Sequence, residues 1–105
     1  MIKYGLDTIT ELKFKEFNPI IERRDDQWVD IVLRPELDSG APIPDDLIAF
    51  SILVICTLDG TIVQIVPQDE DCDCEYQCTF SEKEQIKAFI EQNHIQTAIA
   101  NLTSP

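Results

Sequence analysis

Residues 47–80 read LIAFSILVICTLDGTIVQIVPQDEDCDCEYQCTF, and three segments of this run decide the fold. Leu47–Leu58, rich in Ile, Val and Phe and interrupted by Ser51 and Thr57, reads as a central strand buried on both faces. Asp59-Gly60 is the strongest hairpin signal in the chain, because a tight primed turn needs positive φ and these residues tolerate it. Thr61–Val66 is then the returning strand, with Pro67 expected to stop it. Asp69–Phe80 resembles an acidic tail in mid-chain until its parity is read. Cys72, Cys74, Tyr76, Cys78 and Phe80 share one parity; Asp69, Asp71, Asp73, Glu75, Gln77 and Thr79 share the other. Successive strand residues point to opposite faces, so this segment is expected to be a strand with an apolar face and a rigid acidic ladder.

Working outward from that run, Pro35–Asp46 is a loop with three prolines, one glycine and four acids. Its length approaches the point where structureless loops in compact domains become uncommon and are often functional. Trp28–Arg34 alternates cleanly, with Val29, Ile31 and Leu33 on one face and Asp30 and Arg34 on the other. Glu22–Gln27 reads as a turn, Asn18-Pro19 as a break, and Thr8–Phe17 as a strand with one wet face. Downstream, Ser81-Glu82-Lys83-Glu84 is a capping box with Ser81 and Glu84 as its partners, worth about 1 kcal/mol. The helix it starts runs to about Asn93 and buries Ile86, Phe89 and Ile90. Ile95–Leu102 fits a helix through Ile95, Ile99 and Leu102, or a strand through Ile95, Thr97 and Ile99. The expected fold is a single α+β domain over residues 1–105: an antiparallel β-sheet with one helix from the C-terminal half packed against it.

Charge is distributed unevenly on this framework. No Lys, Arg or His occurs from Pro35 to Glu82, where eleven carboxylates carry −11 of the formal −12. Unrelieved repulsion destabilises a compact state, so salt, a bound cation or a basic partner is expected to relieve it. The pI near 4.2 argues against nucleic acid or an anionic membrane as partner, since both require clustered Lys and Arg. The 44% hydrophobic content is too high for a disordered chain. The N-terminus lacks the features of a secretory signal, and the longest apolar run falls short of a membrane span. A soluble cytoplasmic protein with free thiols is therefore expected.

The chemistry-bearing residues point in several directions. Cys72-X-Cys74-X3-Cys78 with Cys56 could offer four thiolates to zinc. The spacing departs from the familiar two-residue knuckle, and neighbouring carboxylates disfavour thiolates, so core packing is the preferred reading. Asp69, Asp71 and Asp73 match positions 1, 3 and 5 of an EF-hand loop, but Cys74 and Phe80 stand where Gly and a bidentate Glu belong. Calcium nonetheless needs only six to eight oxygens in a flexible geometry. Asp69, Asp71, Asp73 and Glu75 on the ladder, with Asp38, Asp45 and Asp46 on the loop, are the candidate calcium ligands. Carbonyls of Ser39–Pro42 could join them. Acids along one strand face repel by only about 0.6 kcal/mol each in water, so the ladder alone does not demand a ligand. Catalysis is not expected: His94, the one histidine, sits near a helix C-terminus, far in sequence from any nucleophile, and no phosphate-binding glycine loop is present. Trp28 reads as core or rim packing.

With its short length, strong acidity and acidic clusters at Pro35–Asp46 and Asp69–Glu75 outside any EF-hand, the chain resembles the small acidic calcium-binding proteins of filamentous cyanobacteria known as CcbP. The resemblance is compositional and transfers no residue by position. It implies reversible Ca2+ binding through surface carboxylates, as a buffer or signalling component. The alternative from another class is an acidic interaction module that masks a basic protein partner, as nucleic-acid mimics and immunity-type inhibitors do.

Overall fold

The computed structural model describes residues 1–3, 5, 9–38 and 46–103. It is an α+β fold built on three antiparallel sheets and two C-terminal helices. The largest sheet has five strands: β3 (Pro19–Arg23), β4 (Trp28–Leu33), β6 (Phe50–Thr57), β7 (Ile62–Asp69) and β8 (Cys72–Asp73), in that spatial order. Two-residue pairings join β1 (Ile2–Lys3) to β9 (Tyr76–Gln77), while β2 (Phe14–Glu16) joins β5 (Glu36–Leu37). The helices are α1 (Phe80–Ile90) and α2 (Asn93–Thr103). No helix among the described residues is long and apolar enough to cross a membrane.

Period-two patterning places the core. Val29, Ile31 and Leu33 of β4 stand opposite Cys56, Val54 and Ile52 of β6, and all six are buried. Ile86 and Ile90 of α1, with Ile95 and Ile99 of α2, each a pair at i,i+4 spacing, close the same cluster. Each such aliphatic chain contributes about 1.5–3 kcal/mol on burial. The β6–β7 hairpin turns at Asp59-Gly60, though not by the two-residue primed turn expected: only Gly60 has positive φ (+87), its N–H bonds to the Thr57 carbonyl at 3.0 Å, and the register shifts between Ile55 and Cys56. The Gln96 side chain donates to the carbonyls of Gly60 (3.3 Å) and Ile90 (2.8 Å), tying α2 to this turn.

Several sequence expectations are corrected. Strand β6 buries Ile52, Val54 and Cys56 on the face that both helices cover; on the other face Ser51 is buried, but Leu53 and Ile55 are only half-buried. Their row runs Ile20, Val32, Leu53, Val66 across four strands, which partly cover one another. Pro67 does not stop β7, which continues to Asp69. The Pro67 carbonyl accepts from Cys74 N on the side away from β6, so its ring nitrogen faces that side too, where no ladder bond is lost. Of Thr8–Phe17, Phe14–Glu16 forms a strand, and Ile9 adds an isolated bridge to Ile2. Pro19–Arg23, read as a break followed by a turn, is a strand of the main sheet; the break is confined to Asn18, at φ 47. The capping box begins at Thr79, not Ser81: Thr79 Oγ1 accepts from Glu82 N, and Glu82 accepts from Thr79 N. The ambiguous tail is a second helix, because Ile95 and Ile99 complete the core from the helical register.

Candidate functional site

Asp69–Phe80 is not one strand, and the acidic ladder is broken by a turn. Glu70 and Asp71 have φ 52 and 65, the two consecutive positive values that a tight two-residue hairpin requires. Asp69 pairs with Cys72 and Gln68 with Asp73 across it. Directly paired residues share a face, whereas Gln68 and Asp69 point to opposite faces, so Asp69 and Asp73 lie on opposite sides of the sheet. The apolar–polar alternation survives only past the turn: Asp73, Glu75 and Gln77 are exposed, while Cys74 and Tyr76 are half-buried and Cys78 is buried. Phe80, expected on the apolar face, is 79% exposed as the first residue of α1.

Four of the candidate carboxylates, those of Asp46, Asp69, Asp71 and Asp73, each have their own local partner. Asp69 Oδ1 accepts from the backbone N–H of Ile48 (2.9 Å) and Ala49 (2.7 Å), fixing the chain as it enters β6. Asp71 meets the Arg34 guanidinium at 3.4 Å, and Asp73 accepts from the Gln68 amide at 3.1 Å. Asp46 accepts from Lys3 Nζ at 2.7 Å and from the Tyr76 hydroxyl at 2.8 Å. The Lys3 hydrogen bond, then that of Tyr76, hold the Asp46 carboxyl below its usual range; reciprocally, Asp46 raises Lys3. Burial, then the bond to Asp46, pushes the Tyr76 phenol up. Glu75 is exposed between β8 and β9 and adds to the negative field felt by Lys3. Asp38 is exposed just after β5, where its N–H donates to the Lys13 carbonyl at 2.8 Å. Asp45 and the Ser39–Pro42 carbonyls lie outside the described residues.

Among the described residues, no three His, Cys, Asp or Glu side chains gather closely enough to hold a metal ion. The four cysteines are free thiols in three settings: Cys56 and Cys78 buried, Cys74 intermediate, Cys72 exposed. Burial pushes Cys56 up to about 11 and Cys78 up to about 12, which keeps both as packing thiols at neutral pH. Packing against the core thus describes Cys56 and Cys78, but not Cys72, because the turn at Glu70-Asp71 carries β8 to the sheet edge. His94 packs edge-on against Phe89, with ring centroids 6.1 Å apart, and Phe89 stacks on Phe17 at 4.5 Å.

Lys3 and Arg34, which the sequence reading did not connect to the site, are brought to it by the fold. Arg34 immediately precedes the base-free stretch and Lys3 lies far upstream of it; each docks on one of its acids. Glu82, counted with the acidic surface, is instead fully buried and paired with the Met1 ammonium at 2.5 Å. The Thr79-X-X-Glu82 spacing could have identified it, but Ser81-X-X-Glu84 carries nearly the same signature. Asp46, Asp71, Asp73 and Glu75 are thus exposed acids, of which Asp46 and Asp71 each accept one cationic group from the chain itself. No family model, curated protein or solved structure matches the chain.

Proposed function

We propose that this chain is a non-enzymatic binding protein whose acidic edge, Asp46 with Asp71, Asp73 and Glu75, engages a basic segment of a protein partner. The observation that carries this reading is the docking of Lys3 on Asp46 and Arg34 on Asp71: the edge already accepts an ammonium and a guanidinium from its own chain, one carboxylate apiece. Glu70 extends the same negative surface with an exposed carboxylate. Long-range attraction would steer a basic partner to it, with affinity falling as salt rises.

The competing reading is Ca2+ held by Asp38, Asp45, Asp46, Asp69, Asp71, Asp73 and Glu75, and one set of titrations separates the two. In isothermal titration at physiological salt, chelator-treated protein should bind an oligoarginine peptide, and high salt should abolish the binding. Asp73→Asn combined with Glu75→Gln should weaken it about two- to tenfold, as expected for removing two exposed charge contacts. The charge-matched control Glu22→Gln with Glu91→Gln should leave it nearly unchanged. Equal weakening by both pairs would reduce the effect to net charge. Saturable calcium binding below millimolar, lost in Asp71→Asn, would restore the calcium reading.

A further inference from the structure

The five-stranded sheet has a second face, and four of its strands carry an apolar row across it. Ile20 of β3, Val32 of β4, Leu53 of β6 and Val66 of β7 stand directly opposite one another, and paired residues share a face. The helices pack on the other face, and none of the four residues belongs to the core cluster or packs against it. Ile20 is 47% exposed; Val32, Leu53 and Val66 are half-buried, as is Ile55 one step along β6 from Leu53. An antiparallel sheet with one wet face ordinarily alternates apolar inside with polar outside. A continuous apolar row on the wet face, rimmed by polar residues, is instead the pattern of an interaction surface.

The next row joins this stripe to the acidic edge. Gln68 follows Val66 on the same face of β7 and pairs with Asp73 of β8, so Asp73 lies on the stripe's face, about 7 Å along the sheet from the Val66 row. Its side chain accepts from the neutral Gln68 amide, which leaves its charge for a partner, while Asp71 beyond it meets Arg34 at 3.4 Å. On the other flank, Arg24 holds Asp30 at 2.8 Å, leaving Glu22 on the outer strand as that row's exposed acid. Acids therefore concentrate at the β7–β8 side of the stripe. Within the sheet the backbone is paired, so what docks on its face is held by side chains. The row spans three interstrand steps, about 14 Å, the length of about nine residues of α-helix. We propose that the basic segment engaged by the acidic edge is an amphipathic helix, seated with its apolar side chains on the Ile20–Val32–Leu53–Val66 row and its basic flank toward Asp73 and Asp71. The partner's charge rests on the binding reading above; its helical shape and apolar face come from the row. Helix residues at i, i+3, i+4 and i+7 share one face and supply a line of apolar contacts of that length. A second copy of the chain is the poorer occupant, because it brings a further formal charge of −12 to a face flanked by acids.

Two synthetic leucine–arginine peptides of about 14 residues, identical in composition, test this; that length suffices for a helix to form on binding. One places its leucines at i, i+3, i+4 and i+7; the other scrambles the order. In isothermal titration at physiological salt, the patterned peptide should bind the chain about tenfold or more tightly than the scramble, through the added apolar burial. Leu53→Thr combined with Val66→Thr keeps β-branched residues in the strands and removes apolar surface from the row. This variant should bind the patterned peptide no better than the scramble and bind oligoarginine as the unaltered chain does. Should it fail to fold, Ile20→Thr on the outer strand repeats the test with one change, expected to weaken the patterned peptide about threefold. Equal affinity of the two peptides for the unaltered chain would overturn the helical partner, while oligoarginine binding in the same series would show that the acidic edge still acts. Failure of all three peptides to bind would overturn both readings. A sedimentation mass that is doubled for the unaltered chain and single for the double variant would also overturn the proposal, by assigning the face to a second copy.

Discussion

Cys56 and Cys78 show how burial, more than residue type, sets chemistry in this molecule. Their sequence context offers thiols beside carboxylates, a pattern that tempts a metal reading; their positions in the core make them neutral packing groups at about 11 and about 12. That displacement has a consequence for stability. Unfolded thiols ionise near 9, so as pH rises through the interval from about 9 to about 12 the unfolded chain sheds protons that the folded chain keeps. The stabilising contribution is complete below about 9 and declines above it, by up to about 1.4 kcal/mol per thiol for each pH unit. Urea unfolding between about pH 8.5 and pH 10.5 should therefore show a falling free energy, with a shallower slope in the Cys56→Ala, Cys78→Ala variant; identical slopes would refute this assignment. Glu82 teaches the same lesson with the opposite outcome. It is one of eleven acids in a base-free run, yet among the described ones it alone is fully buried, because its backbone position at the third residue of α1 points it at Thr79 and at the ammonium.

At the scale of elements, the two hairpins differ in how openly they are written. Asp59-Gly60 names a positive-φ turn with a residue that adopts it at no steric cost, and the structure turns there. Glu70-Asp71 makes a tighter, two-residue turn whose first position, Glu70, is a residue that resists positive φ, so alternation runs unbroken through the bend and suggests one face for Asp69 and Asp73. A two-residue turn reverses which parity faces the core, and nothing in the alternation itself records that reversal. The turn's mismatch predicts a gain: Glu70→Asn removes the φ penalty of a long side chain and no observed side-chain contact, so it should raise the urea midpoint, by about 0.5–1 kcal/mol in stability. A lowered midpoint would mean that Glu70 has a stabilising contact that its backbone geometry does not reveal. Helix α2 was ambiguous for a related reason: Ile95 and Ile99 are both consistent with either period, and only docking on the core beside Ile90 selects the helical one.

For the molecule as a whole, the formal charge of −12 is the property that any functional reading must accommodate. The fold answers part of it internally, by spreading the acids over two faces, burying Glu82 and bringing Lys3 and Arg34 to the edge. The remainder is exposed and should respond to screening. Raising ionic strength from about 0.01 M to about 0.15 M shortens the Debye length from about 30 Å to about 8 Å, and should raise the melting temperature. The increase should be larger in Lys3→Ala, Arg34→Ala, which lacks the internal relief; a melting temperature that falls with salt in both proteins would contradict this account. Sequence alone determined the α+β class, the β4, β6 and β7 core strands, the first helix and the existence of an acidic surface. These follow from local periodicity, which short-range geometry enforces on each element. Tertiary structure alone decided which acids share a face, which one is buried and which bases reach them. Those outcomes depend on register across a turn and on contacts between residues 37 to 81 positions apart, and hydrophobic periodicity carries no information about either.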